Sequence, residues 1–320
     1  MLNKNLRNSM KKIFLALATA VLFAGVASAQ DLATATETYN NGAEQLQLGD
    51  KAAALGLFKQ ALEMGESLGD EGAELVANCK KTIPTLMLSI SKDALRNKEY
   101  EEAIVKLDEV VETAKAYENE EVVEEATTLI PQAYMSAGTA ALSAKDMDAA
   151  VNNFKKVLEL DPTNGNAALR LGQALNATND LAGAKEAFQI ALANGQEENA
   201  KKQLSNIVLK EAQAALKANK HADVVAIVSQ AEEDGLISNA AAYQLAASAS
   251  QKLNKTADAI KFYEKFLEAD PSNKNAGAIA YTIGALYQQQ NNKAKALEFY
   301  KKSVAAGYAD AQKMVDALSK

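Results

Sequence analysis

One constraint outranks the others: the chain repeats a sentence, and the repeat has a fixed beat. "AAVNNFKKVLELDPTN" runs from Ala149 to Asn164, and "DAIKFYEKFLEADPSN" from Asp258 to Asn273. Ala150 matches Ala259, Phe154 matches Tyr263 and Pro162 matches Pro271, each pair 109 residues apart. Between them the pattern recurs. Ala184, Phe188 and Ala191 follow Ala150, Phe154 and Val157 by 34 residues, and Gly138 and Gly172 are also 34 apart. The register continues weakly through Ala212, Val224, Val228 and Ala231, then through Ala247, Ala259, Tyr263 and Phe266. It returns as Gly284, Tyr287, Ala296 and Tyr300, with the small polar Ser303 closing that copy in place of an apolar residue. Upstream it is Gly42, Ala54, Phe58 and Ala61, then Ser91, Ala103, Leu107 and Val110, which makes seven copies. A period near 34 is the mark of stacked helix pairs.

The residue types fit that mechanically. A small residue in the first helix (Gly172, Gly284) and one in the second (Ala184, Ala296) let two helices approach closely. The aromatic or branched residue four later fills the gap to the next copy. Asp161-Pro162 and Asp270-Pro271 stop the second helix, because Pro cannot extend it. Composition agrees: there are only four Pro and no Trp in 320 residues, and much of the 48% hydrophobic content is Ala. Such a chain is nearly all helix, with close packing in place of a large aromatic core.

These residues resemble the tetratricopeptide repeat over almost all of the chain that follows the N-terminal segment. In the third copy Tyr134, Gly138, Ala150, Phe154 and Pro162 stand where the family places its Trp/Tyr, Gly, Ala, Phe and Pro. The fifth copy departs most, with Val224 for Ala and Val228 for Phe. The resemblance implies an all-α fold, a right-handed superhelical solenoid of antiparallel helix pairs. About seven repeats are expected, with "GYADAQKMVDALSK" as a C-terminal capping helix. Ile83-Pro84 and Ile130-Pro131 lie 47 apart, each behind a polar, helix-forming extension. The helices leading into copies two and three should therefore be longer, with each Pro kinking its helix or setting its break. The expected division is residues 1–29 as a signal peptide, 30–130 as longer-helix repeats, and 131–320 as standard repeats with the cap.

The signal peptide is legible before any fold. Lys4, Arg7, Lys11 and Lys12 precede the apolar run "IFLALATAVLFAGVA", and Ala27-Ser28-Ala29 forms a small-x-small cleavage site before Gln30. Met1 or Met10 could serve as the start. No Cys follows the cleavage site to take a lipid, and no later segment could span a membrane. The expected product is soluble and exported, to a bacterial periplasm or elsewhere in the envelope. Removing the segment leaves 30 bases against 41 acids, net −11, which excludes nucleic acid as a natural partner.

Little in the chain suggests catalysis. The single His221 falls in a turn between paired helices and reads as a packing residue. One His and one Cys cannot supply the usual zinc ligand sets, no Gly-x-Ser-x-Gly elbow occurs, and no cofactor is expected. Cys79 is either a small helix residue or half of a disulfide to a second chain. The run "ENEEVVEE" (Glu118–Glu125) is a solvated helix start, where carboxylates suit the dipole, or a cation site.

What remains is a surface. In the family that the chain resembles, the first helix of each pair lines a concave face that contacts a partner. That face maps onto Arg170, Gln173 and Asn176, then Lys210, Gln213 and Lys217, then Gln244, Ser248, Gln251 and Lys252, with Tyr281 and Gln288 beyond. Amides and bases suit an extended backbone or an acidic segment, because they donate to carbonyls and carboxylates. Members that clamp a C-terminal carboxylate use Lys and Asn where this chain has Leu169 and Gln173, and Leu209 and Gln213. The expectation is a non-enzymatic scaffold for a protein or peptide. The alternative is a carbohydrate-binding helper of an outer-membrane uptake system, disfavoured by the absence of Trp. Protein from the native host should begin at Gln30 by N-terminal mass spectrometry; an intact Met1 or Met10 terminus would rule out export by this route.

Overall fold

The structure, a computed structural model, describes residues 28–319, with side chains from Asp31 onward. The expected signal segment falls outside the described residues, apart from the backbone of Ser28 and Ala29. The described residues form fifteen α-helices and no strand. They fall into seven pairs and a cap. The pairs are α1 (Ser28–Leu48) with α2 (Lys51–Ser67), α3 (Ala73–Arg96) with α4 (Tyr100–Ala116), and α5 (Glu120–Ala144) with α6 (Met147–Leu160). Next come α7 (Gly165–Ala177) with α8 (Leu181–Ala193), α9 (Glu197–Lys217) with α10 (His221–Glu233), and α11 (Ala241–Lys252) with α12 (Thr256–Ala269). The last pair is α13 (Ala276–Gln289) with α14 (Lys293–Ala305), capped by α15 (Ala311–Leu318). The chain forms two compact units, one ending at Ala137 and the other starting at Gly138.

One contact explains why the small residue is required. A Cβ built on Gly172 would lie 2.6 Å from the Phe188 ring, and on Gly138 2.8 Å from Phe154. The same holds at Gly284 against Tyr300 (2.9 Å) and at Gly42 against Phe58 (3.1 Å). The ring thus lies on the small residue of its own pair, sixteen positions earlier, which is nearer home than the gap to the next copy expected for it. In two copies the first position is larger and the second smaller: Ser91 goes with Leu107, and Ala212 with Val228, all fully buried, while Ala247 keeps the ring of Tyr263.

Each pair also turns in the same way. Seven residues carry a left-handed backbone seven positions after the small one: Gly49, Lys98, Lys145, Asn179, Asn219, Asn254 and Asn291, with φ between 57° and 92°. In every case the next N–H closes on a carbonyl five residues back at 2.9 Å, as Asp180 does on Leu175. This Schellman closure satisfies the first helix's orphan carbonyls and aims the chain into the second helix. Asp50, Asp146, Asp180 and Asn292 then cap that helix through their side chains.

The quoted sentence ends in two variants. Asp161 terminates α6 and accepts from Thr163 N–H (3.0 Å) and Oγ1 (2.7 Å), hydrogen bonds that hold its carboxyl below the usual range. Asn164 then caps α7 directly, accepting from Ala167 N–H at 3.0 Å. After Asp270, Asn273 instead holds the Asn275 N–H, and α13 begins only at Ala276. Ser303, apolar in other copies, is fully buried and donates to the Gly277 carbonyl at 2.7 Å.

Two expectations need correction. Pro84 and Pro131 set no break: α3 and α5 run through them for 24 and 25 residues. Each Pro sits where a standard first helix would start, and an extra three turns are added before it. In the section expected to hold standard repeats, α9 is a long first helix of 21 residues, as long as α1, with no Pro to announce it. Gly195 has φ +82°, where any side chain is strained, so it cannot serve as a control for Gly172. Gly56 is the proper control, being exposed in α2 with open space around it. Denaturant melts should show Gly172→Ala costing about 1–3 kcal/mol by overpacking. Gly56→Ala should gain up to about 1 kcal/mol through helix propensity. Equal midpoints would mean the ring does not sit on Gly172.

Candidate functional site

The site residues fall on the first helices of the C-terminal unit at repeating offsets. Arg170 and Lys210 stand two residues before the small residue of α7 and α9. Gln173, Gln213 and Ser248 stand one after it, Asn176 and Gln251 four after, and Lys217 and Lys252 five after. Gln244 lies three before Ala247 on α11. Gln173, Lys210, Gln213, Lys217 and Lys252 are exposed, and Arg170, Asn176, Gln244, Ser248 and Gln251 are half-buried. None belongs to the buried core.

Some of these side chains are brought together. Lys210 Nζ donates to Asn176 Oδ1 at 2.8 Å, which joins neighbouring first helices. One ammonium hydrogen is used and two remain. Tyr263 donates its hydroxyl to Gln251 Oε1 at 2.8 Å and lies 3.4 Å from Ser248 Oγ. Tyr300 does the same to Gln288 Oε1 at 2.8 Å. In both copies the core tyrosine fixes the amide oxygen and leaves the amide NH2 to donate outward. Sequence reasoning placed these tyrosines in the core and missed their hydroxyls. The signal was there: a Gln twelve residues before the Tyr in both copies. Among the described residues, Arg170, Gln173, Gln213, Gln244, Lys217 and Lys252 are joined to no other site residue by a side-chain hydrogen bond or ion pair.

Charge pairing separates this face from its surroundings. α7, α11 and α13 contain no acid, and in α9 Glu197 and Glu198 lie in the first turn. The other α9 acid, Glu211, is bound to Lys185 of α8 at 2.6 Å. Arg170, Lys210, Lys217 and Lys252 therefore have no acidic partner among the described residues. Lys217 and Lys252 sit in the last turns of their helices, where a positive charge also favours the dipole, so Arg170 and Lys210 are the more telling pair. In the N-terminal unit three of the four α3 bases are neutralised: Lys80 binds Glu66 at 3.3 Å, Lys92 binds Glu125 at 2.5 Å, and Arg96 binds Asp93, which also binds Lys51 of α2.

Other candidate chemistry is weaker. Among the described residues no His, Cys, Asp and Glu cluster could hold a metal, and no helix is long and apolar enough to cross a membrane. His221 opens α10, half-buried, its Nδ1 covered and without a partner. Glu120 and Glu121 occupy the first turn of α5 as helix-start carboxylates. Cys79 is fully buried, beyond reach of a second chain in the folded protein.

Each pair is thus a hairpin of packed helices, repeated seven times, and the face outside its core carries the polar row. Residues 141–207 match one tetratricopeptide-repeat family model, and residues 240–273 and 278–306 match another. No curated protein matches the sequence. Among solved structures, MamA protein is 21% identical, aligned over 58% of this chain and 96% of its own, at a TM-score of 0.35. YrrB, described as a TPR protein with an unusual peptide-binding site, is 21% identical over 57% of this chain and 91% of its own, at 0.32. The TPR2AB domain of yeast Sti1, in complex with pHSP90, is 17% identical over 89% of this chain and 97% of its own, at 0.36.

Burial pushes the Cys79 thiol up to about 12. An ordinary thiol ionises near pH 8.5. From there upward the unfolded chain gains a thiolate that the folded chain is denied, so this site favours unfolding increasingly as pH rises. In native buffer at pH 8, Cys79 should resist a maleimide and react at once in denaturant; rapid native labelling would show that α3 opens.

Proposed function

We infer that this chain is a non-enzymatic scaffold, exported to the cell envelope, whose C-terminal first helices hold an extended, acidic segment of a protein partner. The observation that carries it is the set of unpaired bases Arg170, Lys210, Lys217 and Lys252 in a row otherwise made mainly of amides. Lys185, Lys201 and Lys265 each find a carboxylate on the repeat surface, whereas these four bases of the first-helix row do not. Bases left without one are free for a ligand. The anchored amides Gln251 and Gln288 supply donors for backbone carbonyls, and the bases supply the match for side-chain or terminal carboxylates. Carbohydrate binding is less well supported, because Tyr281 of this row is spent on its neighbours, with ring centroids 5.2 Å from Tyr300 and 5.4 Å from Tyr308.

The test is a pull-down from envelope extract with two triple variants. Arg170→Glu, Lys210→Glu and Lys217→Glu together should keep helical content and lose the partner. The control must avoid paired lysines: Lys185 and Lys201 hold Glu211 and Glu197 at 2.6 and 2.8 Å. Lys155, Lys261 and Lys301, exposed on second helices and in no ion pair among the described residues, serve instead. Their reversal should leave capture intact. Capture by the wild type should also fall with salt, since screening acts within about 10 Å at 0.1 M. Equal loss in both triple variants, or none in either, would remove the site from this face.

A further inference from the structure

The net charge of the chain is not shared between its two compact units. From Gln30 to Ala137 there are 21 acids and 9 bases, net −12. From Gly138 to Lys320 there are 20 acids and 21 bases, net +1. The excess is concentrated further: residues 101–125 hold ten carboxylates and two lysines. In that span Asp108 and Glu109 of α4, and Glu120, Glu121 and Glu124 of α5, are exposed and in no ion pair among the described residues. The corner between these helices opens a hollow of about 520 Å³ rimmed by four carboxylates, Glu118, Glu120, Glu121 and Glu124, and one base, Lys115. One unit therefore displays unpaired acids on a surface, and the other displays unpaired bases along its first helices.

We propose that the occupant of the C-terminal first-helix face is the α4–α5 acidic corner of a second copy of this chain. The proposal rests on the preceding assignment of that face as a docking surface and names its partner. Charge complementarity carries it. Acids that found no base within their own unit meet bases that found no acid within theirs, and like charges disfavour the acid-to-acid and base-to-base encounters. The two patches are different surfaces, so the contact is heterologous: each copy offers one donor patch and one acceptor patch.

Sedimentation velocity on the protein purified from its host decides it. At about 0.01 M salt the screening length is ~30 Å, and at 1 M it is ~3 Å. Association should be concentration-dependent at the low value and absent at the high one. Two variants separate the patches. One is the base-reversed triple Arg170→Glu, Lys210→Glu, Lys217→Glu. The other is the acid-neutralised set Asp108→Asn, Glu109→Gln, Glu120→Gln, Glu121→Gln, Glu124→Gln, whose side chains are exposed and whose helicity is checked by circular dichroism. Each variant alone should stay monomeric at low salt, and their mixture should form a one-to-one complex, because each keeps the patch the other lacks. A wild type that is monomeric at all salt concentrations, or a mixture that forms no complex, overturns the proposal. In the pull-down the acid-neutralised set should leave capture of any foreign partner unchanged. Monomeric wild type with partner loss on base reversal would reject the second copy as occupant and keep the face; partner capture indifferent to base reversal would reject the face itself.

Discussion

Everything in this fold hangs on an aromatic ring resting on a residue that has almost no side chain. With Phe188 on Gly172, the two helices of a pair approach closely enough that no third element is needed to fill between them. The remaining geometry is set by the turn, where a left-handed residue and one 2.9 Å hydrogen bond recur seven times. Contact and turn are seven residues apart and fix the hairpin between them. Residues immediately beside the small one are therefore presented in the same way in every copy. Gln173, Gln213 and Ser248 are equivalent for that reason and share no other feature.

Much of this was legible because the constraint is steric and local. Only a small residue fits under a ring, so the Gly-to-aromatic spacing survives in the sequence even where other positions drift. The size exchange at Ser91 with Leu107 and Ala212 with Val228 shows why the weak copies still belong. Helix lengths were less legible. Pro84 suggested a break, but a proline removes one donor and one turn's comfort, and a long helix packed on both sides of it absorbs that. The α9 extension gave no signal because helix-forming residues continue upstream without any punctuation. Ser303 looked like a defect in the pattern; its hydroxyl reaches the Gly277 carbonyl of α13, a contact that spacing along one helix does not reveal.

The polar row was legible as a set of positions and illegible as a set of partners. Register alone puts Arg170 and Lys210 at equivalent places. It does not say that Lys210 leans on Asn176, or that Gln251 is gripped by Tyr263. Nor does it distinguish Lys92, which is satisfied by Glu125, from Lys210, which is in no ion pair among the described residues. Both are basic residues on first helices. Whether each is free depends on which carboxylate the neighbouring helix happens to bring, and that is a property of packing.

The anchored amides bear on how such a face could distinguish ligands. A free Gln spends rotamer entropy when it binds, and both of its groups compete for water. With the oxygen tied to a tyrosine hydroxyl of the core, only the NH2 faces outward and its direction is set beforehand. Such an amide favours acceptors, which are carbonyls and carboxylates, and offers nothing to a ligand donor. Two bases and two oriented amides along one row therefore exclude cationic segments twice over: by repulsion at Arg170 and Lys210, and by the lack of an acceptor at Gln251 and Gln288. Selectivity here would come as much from what the face withholds as from what it contacts.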